Sequence, residues 1–423
     1  MQTARKHVRG RLPTMRVMHV INQLSGRAGA EISLRENIIG SLDSGLDHVV
    51  VVLRPSGHAL APFHDNEVPV VVPTESLSHL GAIRHVIGAI RSHEPDLVHS
   101  SLFDADLAAR IAAFITATPV VSSVVNTTYD SLARRVEPIP EAKRLAVKGI
   151  DRLLARHATS AFHAISEATA RQTVDQLGVP WSSIRVVPRG RRASSFDRQT
   201  PDRRERIRAE LGCGARPVLI NVARQEPQKG HHLLLAAMQV VVESRPDALL
   251  VLVGREGRST PEIHRMVREL DLSPSVVRLG VRTDIPDLLA AADVFAFSSL
   301  WEGLGGAVLE AAAASLPVVA FELPALQEIL GPEHPWLVDV GDAGALGSAL
   351  LEALEASEDR RSDVAADQLR RFLDRYELDA VVRKMSRFYL DVHAAVTPRQ
   401  RSWIHRVPRV RSLCDESPSH DHG

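Results

Sequence analysis

The segment VFAFSSLWEGLGGAVLEAAAASLPVVAF, residues 294–321, holds a strand, a glycine-rich turn, a helix and a second strand in succession. Its ends, 294–297 and 318–321, are short Val- and Phe-rich runs, whereas 306–314 is built from the helix formers Ala, Val and Leu. Two such runs joined by a crossover helix make the parallel βαβ unit. Ligands of parallel sheets bind beyond the carboxyl ends of the strands, where free helix N-terminal amides attract anions. The turn 298–306 therefore marks a candidate site as well as a fold.

The same alternation extends in both directions. Nearby strands are expected at 218–222, 249–253 and 276–279, with helices at 232–244 and 261–270. Upstream, strands are expected at 17–21, 49–53, 68–72, 97–99, 120–124 and 160–164, with helices at 30–42, 80–93, 106–114 and 142–157. An Arg-, Ser- and Pro-rich segment, 189–208, interrupts the pattern and reads as a linker. The fold class is α/β, with two Rossmann-like doubly wound domains. The division expected is an unstructured extension at 1–14, a first domain at 15–198, a second at 199–378, a helix at 379–395 and a flexible polar tail at 396–423. The helix 379–395 either extends the second domain or packs back across the first.

Composition excludes several classes. Across 423 residues, 51 Lys and Arg balance 51 Asp and Glu, so there is no global attraction for nucleic acid. Cys213 and Cys414 fit neither a disulfide framework nor zinc-ligand spacing, which points to a reducing, cytoplasmic compartment. The basic start is followed by an apolar run, 17–21, too short for a signal peptide. The most apolar stretch, 305–321, is broken by Glu310 and Pro317 and cannot span a bilayer.

Three loops after strands could carry chemistry. The first, 222–230, presents Arg224 and Lys229, two cations suited to a diphosphate or merely solvated on a loop. The second contains Glu302, Gly303, Leu304 and Gly305, whose backbone amides can approach a phosphate or sugar. Glu310 is the only charge in the helix that follows, so it faces either a polar partner or solvent. The third, 26–31, places Gly29 ahead of the first helix. Gly254 lies in a further turn that lacks the third glycine of a dinucleotide fingerprint, which argues against a nicotinamide enzyme.

Taken in order, Arg224 to Lys229-Gly230, 249–257, 277–280 and Glu302 through Glu310 resemble the retaining GT-B glycosyltransferases, specifically glycosyltransferase family four. That resemblance implies sugar transfer from a nucleotide-diphosphate sugar to an acceptor hydroxyl, without metal or other cofactor, in polysaccharide, glycolipid or glycoconjugate synthesis. It makes Arg224 and Lys229 the diphosphate cations and Glu302 the contact to donor-sugar hydroxyls. Glu310 would bind the ribose, with Gly29, Gly254, Gly303, Leu304 and Gly305 completing the donor site. It also matches Ser166 to a common family serine and Gly190 to the glycine of an Asn-Gly turn. The chain departs from the family at Ala28, where a glycine is usual, at Asn126, where many relatives carry a histidine, and at Arg189, where asparagine is usual. Asn126, Arg189 and His99 are candidates for the acceptor side, His99 reading more readily as a hydrogen-bonded structural histidine.

Two other functions fit the same scaffold: a nucleotide-sugar epimerase or hydrolase, and a noncatalytic nucleotide-sugar-binding subunit. The segment 143–157 interleaves Arg144, Lys148, Arg152 and Arg156 with Leu145, Ile150, Leu153 and Leu154. It could rest on anionic lipid as a peripheral contact, or be a solvated helix whose apolar stripe faces the core.

Overall fold

The structure, a computed structural model, describes residues 15–26, 29–56, 58–126, 136, 140–197 and 201–404. The strands are β1 Met15–Ile21, β2 Leu46–Val52, β3 Val70–Val71, β4 Leu97–Ser101, β5 Val120–Val124, β6 Ala161–Ala164 and β7 Ile184–Val186, followed by β8 Val218–Val222, β9 Leu249–Val253, β10 Val276–Gly280, β11 Val294–Phe297, β12 Val318–Phe321 and β13 Leu337–Val338. They form two parallel sheets, ordered β3-β2-β1-β4-β5-β6-β7 and β10-β9-β8-β11-β12-β13. In each, the order reverses beside the first strand, the crevice where such sheets bind ligands. The expected strand 68–72 shrinks to Val70–Val71, and β7 and β13 were not anticipated. All three are edge strands of two or three residues, too short to show a period, and they form only by pairing with a neighbour.

Residues 343–355 and 231–244 are helices that cover one face of the second sheet, burying Leu234, Leu235, Met238, Leu346 and Leu350. In the first sheet, the helix Phe103–Thr116 packs Ala105, Ala109 and Ala112 closely against Met18, Val20 and Val98. The opposite face is covered by the helix Gly29–Ser41 and by the last helix, Leu378–Ile404. Val381, Met385, Phe388, Tyr389 and Val392 of that helix bury against Met15, Val17, Leu97 and Val121. At roughly 1.5–3 kcal/mol for each large apolar side chain, this contact amply fixes the returning helix to the first domain. Of the two placements open to it, the chain uses the one that crosses back. The helix continues to Ile404, beyond the expected start of the tail at 396, while residues 1–14 and 405–423 lie outside the described residues.

The two crossings between domains lie side by side. Arg191 N–H donates to Tyr376 O at 3.0 Å and Leu378 N–H to Arg191 O at 3.1 Å. A Cβ on Gly190 would lie 2.8 Å from Leu378 Cα, so only glycine lets the strands approach. Phe196 already belongs to the second core, so the outgoing crossing precedes the expected boundary at 198.

Candidate active site

Two loops at the carboxyl edge of the second sheet are strapped together. Leu300 N–H donates to Gln228 O at 2.8 Å, Gln228 Nε2 to Trp301 O at 2.6 Å, and Ser298 Oγ to Lys229 O at 2.9 Å. Gly230 adopts φ +60°, and a Cβ there would meet Ser298 O at 2.2 Å, so glycine is needed for the loops to touch. The consequence is an ion pair between Lys229 and Glu302, both largely shielded from solvent. Lys229 Nζ also lies 5.6 Å from the Phe297 ring centroid, a cation–π distance.

Arg224 lies on the same loop, is exposed, and has no ion pair among the described residues. Gly254 sets the shape of that loop: a Cβ there would fall 1.9 Å from Ala223 O and 3.3 Å from Arg224 N. Its resemblance-based place at the donor is therefore met here by a backbone role, holding the Arg224 turn against the turn after β9. Gly303, Leu304 and Gly305 lead into the helix Gly306–Ala313, with Leu304 buried.

Gly303 is also where the domains meet. A Cβ there would lie 2.4 Å from Val125 O and 3.1 Å from Asn126 Cα, so Asn126 faces this turn directly. Ser166 Oγ donates to Gly303 O at 2.6 Å and accepts from Thr169 N–H at 3.0 Å, capping the helix Glu167–Leu177. Across the same seam, the Glu328 carboxylate accepts from the amides of Glu167 and Ala168 at 3.0 and 2.9 Å, an anion at a helix N-terminus.

Glu310 does have a polar partner. Arg191 Nε donates to Glu310 Oε1 at 2.9 Å, while Arg191 Nη1 lies 3.4 Å from Glu36 Oε2 on the first helix and 2.8 Å from Gly190 O. Burial works against charge on Arg191, but Glu310 and Glu36 together hold its pKa above the usual value. Burial raises Glu36, with Arg191 opposing the shift. One linker guanidinium thus joins a carboxylate of each domain.

Gly29 begins the first helix, and an added Cβ would lie 3.0 Å from Arg189 Nη1. The preceding amides of Ser25 and Gly26 both donate to Glu31 Oε2 at 2.7 Å. The departure at Ala28 lies outside the described residues. Burial, then the like charge of Arg191, lower the Arg189 pKa to about 10, with Glu302 pulling the other way. Arg189 therefore stands between Gly29 and Glu302, and the space these residues flank is here called the slot.

His99 does not reach the slot. It is 5 % exposed within β4, with Nε2 at 2.7 Å from Ser123 Oγ and Nδ1 at 2.8 Å from Tyr389 Oη. Both ring nitrogens are occupied beneath the returning helix, so the acceptor assignment is corrected to a structural one. The lipid question turns on the helix Glu141–His157, of which only Ala155 is buried. Leu145, Ile150 and Leu153 are 55 %, 51 % and 61 % exposed, so the apolar stripe does not face the core.

Sequence reasoning missed Arg191, Glu36 and Glu328. A run of three arginines around Gly190 was a signal of charge, but no spacing rule says which one reaches across a domain boundary.

The "Glycosyl transferase 4-like domain" family matches residues 28–190, and "Glycosyl transferases group 1" matches residues 216–356. The chain is 24% identical over 355 residues to the Escherichia coli UDP-Gal:alpha-D-GlcNAc-diphosphoundecaprenol alpha-1,3-galactosyltransferase, covering 81% of this chain and 88% of that one. It is 29% identical over 332 residues to the Streptomyces fradiae 2-deoxystreptamine N-acetyl-D-glucosaminyltransferase, covering 72% and 73%. Among solved structures, Anabaena HepE in complex with UDP and glucose superposes with a TM-score of 0.76 at 23% identity, over 89% of this chain and all of that one. WaaG, a glycosyltransferase involved in lipopolysaccharide biosynthesis, gives a TM-score of 0.69 at 17% identity, over 87% and 98%. With both halves matched in order and the GT-B architecture in place, the chain belongs to the GT-B glycosyltransferases of the group 1 family and is a glycosyltransferase.

Proposed function

We propose that this glycosyltransferase transfers a sugar from a nucleotide-diphosphate sugar to an acceptor hydroxyl with retention of anomeric configuration, its leaving diphosphate neutralised by side chains rather than by a metal. The observation that carries this reading is the Lys229–Glu302 pair, which two strapped loops hold at the mouth of the second sheet. A diphosphate entering beside Arg224 gives Lys229 a doubly charged partner and frees Glu302 to accept hydrogen bonds from sugar hydroxyls. Cations aimed where charge develops as the glycosidic bond breaks lower the barrier electrostatically. Glu310 keeps Arg191 on Oε1 and offers Oε2 to the ribose hydroxyls. Retention is accounted for by the acceptor hydroxyl attacking on the face the diphosphate leaves, a diphosphate oxygen taking its proton.

The acceptor is proposed to be a sugar or a lipid-linked glycan, in keeping with the Escherichia coli relative, whose name specifies a diphosphoundecaprenol acceptor. The bared Leu145, Ile150 and Leu153, flanked by Lys143, Arg152 and Arg156, support a peripheral contact of the first domain with anionic lipid at the cytoplasmic face of a membrane. No helix among the described residues is long and apolar enough to cross a membrane.

The test is a panel of UDP-, GDP- and dTDP-sugars scored by thermal stabilisation, followed by transfer assays with the stabilising donor. Lys229→Ala and Glu302→Ala are each expected to lower turnover by about 10²–10³-fold, the cost of removing one electrostatic stabiliser. Full activity in both variants would overturn the assignment.

A further inference from the structure

We infer that Arg189, standing against Gly29 at the start of the first helix, is a third phosphate-binding cation of the slot, contributed by the linker rather than by the second domain. The backbone around it is tightly held. Val187 O accepts from His163 Nε2 at 2.8 Å, and Gly190 is pressed against Leu378. Arg191 is bonded to Tyr376 and Glu310. Arg189 thus projects from a fixed point, and its guanidinium reaches the backbone where the helix Gly29–Ser41 begins.

The neighbouring arginine shows what is missing. Arg191 has Glu310, Glu36 and Gly190 O, whereas Arg189 has no hydrogen bond or ion pair among the described residues. The nearest opposing charge, Glu302, is already paired with Lys229. Arg191 and His163 both face Arg189, so its surroundings are cationic or neutral on those sides. A half-buried guanidinium with no protein hydrogen bond or ion pair among the described residues is open to an anionic ligand, and a phosphate matches its fork bidentately. The free amides at the start of the helix point the same way.

The phosphate has two sources within the proposed chemistry: the donor's diphosphate, or a phosphate carried by the acceptor. Placing it there rests on the nucleotide-sugar reading, but binding of phosphate itself does not. Wild type, Arg189→Asn and Arg189→Lys are titrated with inorganic phosphate by thermal shift and with UDP and GDP by calorimetry. Arg189→Asn is expected to lose at least half of the phosphate-induced stabilisation, and Arg189→Lys to recover part of it. A nucleoside diphosphate Kd weakened about tenfold in Arg189→Asn assigns the group to the donor. An unchanged Kd with lost phosphate stabilisation assigns it to the acceptor. Equal phosphate stabilisation and equal nucleotide Kd in wild type and Arg189→Asn would overturn the inference. Wild type that binds neither nucleotide, yet shows Arg189-dependent phosphate stabilisation, would remove the donor reading and leave this subsite standing.

Discussion

The buried strand side chains of the second sheet are apolar apart from Asn221, while one face of the first sheet carries His48, His19, His99 and His163 in a row over five strands, with Ser123 on the strand between the last two. The row is held by hydrogen bonds. Ser41 Oγ lies 2.9 Å from His48 Nε2, His48 Nδ1 lies 3.0 Å from His19 Nε2, and Ser123 Oγ joins His99 to His163 at 2.7 and 2.8 Å. Tyr389 of the returning helix closes it from above. Apolar strands need only cover, whereas buried imidazoles need matched partners, and one of those arrives from the far end of the chain. The wall bearing Arg224, Lys229 and Glu302 is therefore built from second-domain residues, and the opposite wall depends on a helix that must first cross back.

Outside the Lys229–Glu302 pair, the largest expected effect comes from joining the two walls badly. Gly303→Ala puts a methyl 2.4 Å from Val125 O, so the domains must separate or the turn must move. Misplacement on the scale of 1 Å costs about 10²-fold, so kcat is expected to fall by that order with the melting temperature little changed. Near-wild-type turnover would show that this seam does not position the site.

The histidine row predicts acid sensitivity. Burial lowers all four pKa values, His48 and His163 to about 4, so these rings are neutral when folded at neutral pH. The unfolded chain binds their protons near pH 6.5. The stabilisation is thus complete above that pH and is lost as pH falls from 6.5 toward 4, at up to about 1.4 kcal/mol per pH unit for each histidine. His231 and His334 of the second domain, also lowered by burial to about 4, add to the slope. Urea midpoints measured between pH 7 and 4.5 should fall steeply, and less steeply in His19→Leu/His48→Leu. A flat profile would contradict neutral burial.

Tyr389→Phe isolates the returning helix. It leaves His99 Nδ1 without its partner at no cost in volume, which is expected to lower stability by about 1–3 kcal/mol. Nucleotide affinity, which the proposed function assigns to the other wall, should not change by calorimetry. A weakened nucleotide Kd in this variant would show that the two walls are more tightly coupled than the packing suggests.

The smallest folding effect is expected for Leu145→Ser/Leu153→Ser. Both side chains are exposed, so the melting temperature should move by no more than about 0.5 kcal/mol would produce. Co-sedimentation with phosphatidylglycerol vesicles at low salt should drop several-fold. Equal binding by variant and wild type would remove the lipid contact from the first domain.

Much of this protein is legible in the order of its residues. The strand and helix alternation, two units and the loops bearing Arg224, Lys229, Glu302 and Glu310 follow from local periodicity and from glycines whose neighbours leave no room for a side chain. His99 does not reach the acceptor side for a nonlocal reason: its partners, Ser123 and Tyr389, are 24 and 290 residues away. The same holds for Arg191, whose carboxylates lie 155 and 119 residues off in different domains.

The sequence by itself determined the two parallel sheets and the charged character of the loops bearing Arg224, Lys229 and Glu302, because strand, turn and helix preferences act over a few residues. Only the tertiary structure decided where the final helix lies, which carboxylates the linker arginines meet, and that Arg189 is left to face the slot. Those outcomes depend on burial and charge contributed by segments far apart along the chain, which no local pattern encodes.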